Sequence, residues 1–205
     1  MRRDFGINDL ERGGAYHLMT ATVLPRPIAW VSTLSADGVD NLAPHSFFTV
    51  AAADPPVVQF TSVGSKDTLR NVQATKEFVI CLTPEPLFDK VNDTSIDFPP
   101  HLSEYDEIGL TRQDSLLVAP KRVAESPVAF ECRLRDTIEI GNSTVVMGDV
   151  VNFSIDESVL DLTNPRRPHP RIEDLMPLAR LGKNQWSTVG RVLDEPRKKY
   201  KDLER

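Results

Sequence analysis

The sequence predicts a mainly β protein, an antiparallel barrel with only short helices between its strands. Three observations carry this. Ser35-Ala36-Asp37-Gly38 joins two strand-like runs, and Asp-Gly in that position is a strong hairpin signal. Two longer runs, 127–140 and 144–155, are joined in the same manner through Gly141-Asn142-Ser143. The helical segments are short and do not alternate with strands, as they would in a doubly wound sheet.

In chain order, residues 1–14 form a polar N-terminal extension, and AYHLMTAT (15–22) makes a short helix ended by Pro25 and Pro27. RPIAWVSTL (26–34) reads as a strand, with Ile28, Trp30 and Ser32 on one side and Ala29, Val31 and Thr33 on the other. Residues 39–48 are its return arm, and Asp54-Pro55-Pro56 stops the pairing. VVQFTSV (57–63) supplies a third strand, DTLRNVQAT (67–75) a helix with Leu69 and Val72 on one face, and 77–82 a fourth strand. Between Pro84 and Pro120 the pattern weakens, which implies a surface excursion with a helix around 85–92. After the long hairpin, NPRRPHPR (164–171) is a proline-stiffened basic loop, and 191–205 is a charged tail, solvated as a helix or a frayed end.

With 205 residues, 40% of them hydrophobic and 26% charged, the chain is expected to fold as one domain, 1–205, around a core that needs no staple. A net charge of −6 argues against a nucleic-acid or anionic-membrane partner. No apolar run approaches a membrane span and the N-terminus does not read as a signal peptide, so a cytoplasmic location is expected. Cys81 and Cys132 lie in apolar strand-like runs without CxxC spacing and are expected as buried thiols rather than a redox pair.

Several chemistries lack their motif: there is no GxGxxG, no GxxxxGK[ST] and no GxSxG. His17, His45, His101 and His169 show no metal-ligand spacing, so no metal is expected, and no catalytic side chain stands out. What does stand out is a polar interruption. In DNLAPHSFF (40–48) a proline, a histidine and a serine stand where a buried strand would carry β-branched residues. Small hydroxyls, an amide and a cation recur nearby in Ser32-Thr33, Asn41 with His45-Ser46, Ser62, and Ser65-Lys66-Asp67-Thr68. Hydroxyls, a lysine and the free N–H groups of a helix start suit a phosphate monoester. Singly, each has a local explanation: Thr33 as a strand residue, Ser46 bonded to backbone, Lys66 solvated, Thr68 in a first helical turn.

Together these strings, RPIAWVSTL, NLAPHSFF, SKDTLRNV, GDVVNFSI and LARLG, resemble the flavin reductase-like family of flavoredoxin-type proteins, over residues 16–186. The resemblance implies an FMN-binding split β-barrel. It implies that Ser32 and Thr33 lie along the ribityl chain and ring edge with Asn41 and His45 nearby. Ser46, Lys66 and Thr68, with Ser62 beside them, would hold the phosphate. It further implies a homodimer and an oxidoreductase that takes a hydride from NAD(P)H and passes electrons to an acceptor such as a partner monooxygenase. A non-enzymatic FMN-binding carrier or sensor, and an interaction module without cofactor, are the competing classes. Asn152 and Ser154 stand where many relatives carry histidine, and Lys183 and Trp186 depart from L-G-G-x-x-Y, positions that the resemblance puts near the substrate. Arg167, His169 and Arg171 are either a solvated loop or contacts for a nicotinamide phosphate.

Overall fold

The computed structural model describes residues 1–200. Strands β1 (Ala29–Leu34) and β2 (Asp40–His45) pair antiparallel from Leu34 opposite Asp40 to Ala29 opposite His45. Gly38 turns between them at φ +84°, a conformation that costs a residue without Cβ nothing. The return arm is not the single strand 39–48 that the sequence suggests. It stops at His45, and β3 (Phe48–Ala52) begins after Ser46-Phe47 and pairs with β4 (Val57–Val63) instead. Pro44 has no N–H to offer a second ladder, so the arm ends as an edge and the chain crosses over.

With β5 (Glu77–Cys81), β6 (Val128–Ile140) and β7 (Ser143–Ile155), these strands form one seven-stranded sheet in the order β2-β1-β5-β6-β7-β4-β3. Its two edges, β2 and β3, are consecutive in the chain. The sheet therefore curls back on itself without a ladder between its edges, which is a split barrel.

Among the described residues five α-helices accompany the strands: α1 (Gly14–Thr22), α2 (Asp67–Thr75), α3 (Phe88–Asp93), α4 (Glu104–Ile108) and the single turn α5 (Ile172–Leu175). The alternation in β1 is the one the sequence pattern predicts, and both faces are buried. Ala29 and Val31 join Phe60, Phe78, Ile80, Cys132 and Val146 in one core cluster, to which α2 adds Leu69 and Val72. Ile28 and Trp30 face a second cluster with Leu42, Val91, Tyr105 and Leu110.

Residues 84–120 are thus not a surface excursion. Val91 of α3 and Tyr105 of α4 are fully buried, Trp30 donates its indole N–H to Thr94 (2.9 Å), and the Glu104 carboxylate accepts from the Leu42 N–H (2.8 Å). The stretch anchors by single side chains spaced by polar turns, so it shows no periodicity. A small sheet of Arg26–Pro27, Ala179–Arg180 and Trp186–Ser187 brings the chain after 178 back beside the first strand. Cys81 and Cys132 are buried and free. Residues 191–199 of the charged tail have no helix or strand, and 201–205 lie outside the described residues. No helix among the described residues is long and apolar enough to cross a membrane.

One glycine has a packing role. The β6–β7 register shifts between Met147 and Gly148, and a Cβ on Gly148 would lie 2.3 Å from Phe78 Cζ. Phe78 is fully buried and packs edge-on to Phe60 at 5.6 Å, so it has nowhere to move. Overpacking of this kind costs about 1–3 kcal/mol. Gly148→Ala should lower the urea unfolding midpoint correspondingly, and Phe78→Leu in the same chain should recover part of the loss. An unchanged midpoint for Gly148→Ala would show that the ring does not confine this position.

Candidate functional site

A cleft of about 280 Å³ opens at the split, close to the lower end for small-ligand sites, about 300 Å³. Alternate residues of β2, Asn41, Ala43 and His45, form one wall; Thr61 and Ser62 of β4 form another. The start of α2 and the segment Thr94 to Phe98 complete it. Six of the eight residues singled out from the sequence line this cleft: Asn41, His45, Ser46, Ser62, Lys66 and Thr68.

Ser32 and Thr33 do not. Strand β1 is covered on both faces, and both side chains are fully buried. The Ser32 hydroxyl accepts from the Tyr105 hydroxyl (3.0 Å) and Thr33 accepts from the Asn71 amide (3.1 Å), so both side chains are bonded within the fold.

The six differ in what they leave free. Asn41 donates its amide to the Thr68 hydroxyl (3.1 Å), which fixes that oxygen and leaves its proton to donate elsewhere. Ser62 donates to the Gly64 carbonyl (3.0 Å), holding the loop that leads into α2. Lys66 occupies the N-cap of α2 in an extended conformation, and no side chain caps the helix. The first N–H groups of α2 therefore lack intrahelical partners beside Lys66 and Thr68. Lys66 Nζ sits 2.6 Å from Asp97 in an ion pair exposed on both sides, a contact of small energy. Ser46 accepts from Arg26 Nε at 3.5 Å.

His45 is the unusual group. Its Nε2 is buried and has no hydrogen-bond partner, with the ring 4.9 Å from that of Phe60. Burial pushes its pKa down to about 4, against the pull of the Thr61 carbonyl and with a further push from the Lys66 charge. At neutral pH it is an uncharged imidazole with one nitrogen unmatched.

An unpartnered imidazole nitrogen, an uncapped helix start, a lysine and a free hydroxyl proton fit a ligand that combines a polar edge with an anionic end. The segment 94–98, with Asp97 and the neighbouring Thr94 and Ser95, belongs to the cleft and was missed from sequence, because NDTSIDF carries no signal beyond polarity.

Other sequence candidates lie elsewhere. Asn152 donates to Glu131 (3.2 Å) and Ser154 accepts from Arg122 (2.5 Å), away from the residues that line the cleft. Glu131 is fully buried and also accepts from the Leu116 and Leu117 N–H groups at 2.9 and 2.7 Å and from Arg122. Burial alone would raise its pKa, but these donors outweigh burial and lower it. In the basic loop, Arg171 is engaged by Asp174 and the carbonyls of Leu160 and Ser158, and none of Arg167, His169 and Arg171 lines the cleft.

Residues 20–170 match the family model of the flavin reductase like domain. The chain belongs to the flavin reductase-like family. Among solved structures it is similar to nitrilotriacetate monooxygenase component B from Bacillus cereus, with 28% identity, TM-score 0.89, and 95% of this chain and 99% of that one covered. It is similar to 2-nitrobenzoate 2-nitroreductase from Pseudomonas fluorescens, with 26% identity, TM-score 0.88, and 97% and 98% covered. Flavoredoxin of Desulfovibrio vulgaris (Miyazaki F) shares the fold at 20% identity, TM-score 0.77, with 95% and 97% covered.

The depressed pKa of His45 carries a consequence for stability. The unfolded chain protonates this histidine near 6.5 and the folded chain only near 4, so between those values the unfolded state binds more protons. Stability should therefore be full above pH 6.5 and fall as pH drops toward 4, by about 3 kcal/mol. In His45→Gln that part of the fall should vanish. NMR titration of the imidazole provides the direct check: a His45 that charges near pH 6.5 would show the ring to be solvated.

Proposed function

We propose that this cleft binds FMN and that the protein is an oxidoreductase in which the bound flavin accepts a hydride from NAD(P)H and passes electrons to a second acceptor. The observation that carries the reading is the polar set at the split, the unpartnered His45 Nε2, the uncapped start of α2, the Thr68 proton and Lys66 with only an exposed ion pair to Asp97, in a chain of the flavin reductase-like family. FMN supplies the two-electron chemistry, which is why no nucleophile or acid–base pair is needed. The chain's residues bind and orient. Lys66, Thr68 and the α2 N–H groups would hold the phosphate, and Asn41 fixes the Thr68 oxygen for that contact. Ser62 holds the 62–64 turn. His45, uncharged at neutral pH, would meet the polar edge of the ring, and Ser46, which the resemblance assigns to the phosphate, would instead join it there because it follows His45 directly at the end of β2.

A partner monooxygenase is the acceptor we favour, in keeping with the similarity to a monooxygenase component. We also propose a homodimer, because Val50, Val63, Ile138, Ile140 and Phe153 are exposed on the sheet strands. A cytoplasmic location is in keeping with the two free thiols.

Lys66 separates phosphate recognition from ring recognition. Losing a charge-assisted hydrogen bond costs roughly 1.5–3 kcal/mol, so Lys66→Ala should weaken FMN binding about ten- to a hundredfold and leave riboflavin affinity nearly unchanged. Asp97→Asn should act in the opposite direction, strengthening FMN binding by up to about fivefold, since it frees the lysine and removes a negative charge. Equal losses for both flavins in Lys66→Ala would move the phosphate elsewhere.

The activity is tested by anaerobic stopped-flow mixing of the FMN-loaded protein with NADH and with NADPH. Loss of flavin absorbance with at least one of them is expected, and sedimentation of the same samples should give twice the chain mass. Bound FMN that neither nucleotide bleaches would make the protein a carrier or sensor, and a chain that binds no FMN would remove the flavin reading.

A further inference from the structure

We propose that a second cavity, beside Trp186, binds the carboxylate group of a small aromatic acid, with Arg180 as the residue that recognises it. This cavity, about 210 Å³, shares Pro44, Ser46 and Ser95 with the cleft at the split, so its occupant would abut whatever the cleft holds. The proposal rests on the flavin reading only where it calls that occupant a co-substrate.

The chemistry of the walls is mixed in a specific way. Ile28, Pro44 and Trp186 are apolar, Ser46, Asn92 and Ser95 are polar, and Arg180 supplies the cation. That guanidinium is held in place. Arg180 pairs with Trp186 across the small sheet, its Cζ lies 4.6 Å from the Trp186 ring centroid, and Nη2 donates to the Lys183 carbonyl (3.0 Å). Phe88 packs edge-on against the same indole at 5.2 Å. A guanidinium has five N–H donors in a planar fork that matches a carboxylate, and only one of those of Arg180 has a protein partner among the described residues.

The charge is also uncompensated. Among the described residues no carboxylate pairs with Arg180. A second guanidinium, Arg26, lies close enough to repel it, and Arg26 is buried and, among the described residues, bonded to the carbonyls of Thr20, Val23 and Leu181 and to the Ser46 hydroxyl. Partial burial, and then Arg26, lower the pKa of Arg180. A half-buried Arg180 without a counter-charge, beside a buried Arg26, is unfavourable in the free protein and favours an anion at Arg180. An apolar side formed by Ile28, Pro44 and Trp186 next to one preorganised fork favours a flat apolar body bearing a carboxylate over a fully hydrated anion.

Benzoate and its uncharged counterpart benzamide are the probes, titrated calorimetrically into flavin-free and FMN-loaded protein. Benzoate is expected to bind at least tenfold more tightly than benzamide. Arg180→Met should weaken benzoate about ten- to a hundredfold, leave benzamide unchanged and leave FMN affinity unchanged, while Arg180→Lys should keep part of the benzoate affinity. Equal affinity for the two probes in wild type, absence of benzoate binding, or an Arg180→Met protein that binds benzoate normally would each overturn the proposal; the first two hold even if the variant does not fold. The two readings fail separately. FMN binding without benzoate binding defeats this inference alone, whereas Arg180-dependent benzoate binding by a protein that takes up no FMN defeats the flavin reading and leaves the anion site standing.

Discussion

The ladder that fails to close between β2 and β3 is the constraint on which the rest depends. A seven-stranded sheet whose edges are consecutive in the chain would complete a barrel if those edges paired. They do not, because Pro44 lacks a donor and the chain turns across at Ser46-Phe47 to let Phe48 open a new strand against Phe60. Unpaired edges are ordinarily a liability. Here the opening is lined with polar and charged groups, and the rest of the fold keeps it open and in one shape.

That shape is maintained from two sides. On one, α2 packs Leu69 and Val72 against Phe60 and Phe78, with Gly148 giving the Phe78 ring its room. The helix is thereby fixed with its uncapped start at the cleft. On the other side, α3, α4 and the turns between them cover the outer face of β1 and β5, tied down by the Trp30 to Thr94 bond and by Glu104 on the Leu42 N–H. Glu131 does comparable work further along β6. A carboxylate with no exposure would be costly alone, but two backbone donors, Arg122 and Asn152 satisfy it, and Ser154 takes a further Arg122 donor. Asn152 and Ser154, which depart from the family pattern, thus have a structural employment in this chain.

The parts of the fold legible in the sequence are those with local signals. The Asp-Gly turn, the alternation of Ala29, Val31 and Thr33 against Ile28, Trp30 and Ser32, the helix from Asp67 and the long hairpin through Gly141 each follow from propensity or period. The break in the return arm was visible only as the oddity of Pro44, His45 and Ser46, because whether such residues interrupt a strand or sit at an edge depends on what pairs with it. Residues 84–120 were illegible for another reason: Val91, Tyr105 and Leu110 are isolated anchors, and only the tertiary fold shows that they share one cluster. The same limit governs the site. Asn41, His45, Ser46, Ser62, Lys66 and Thr68 lie on segments that the strand and helix pattern places near one another. Ser32 and Thr33 share their residue types, but they stand on a central strand with partners on both faces, and a hydroxyl in sequence does not reveal whether Tyr105 or Asn71 has already claimed it.

The distribution of charge at the split then follows from burial. In a chain of net charge −6, Lys66 lines the opening together with Asp67, Asp97 and Glu104, and Arg26 and Arg180 adjoin it, while the buried carboxylate of Glu131 is bonded to its own donors away from it. His45, among these cations and out of water, cannot become a further one near neutral pH. The opening therefore combines charges of both signs along its walls with an uncharged imidazole. Under the proposed FMN reading, the anionic end of the ligand belongs at Lys66 and the start of α2, and its uncharged planar body beside His45. The chemistry can then belong to that body, and the protein's own part is to hold it where two cavities meet at Ser46.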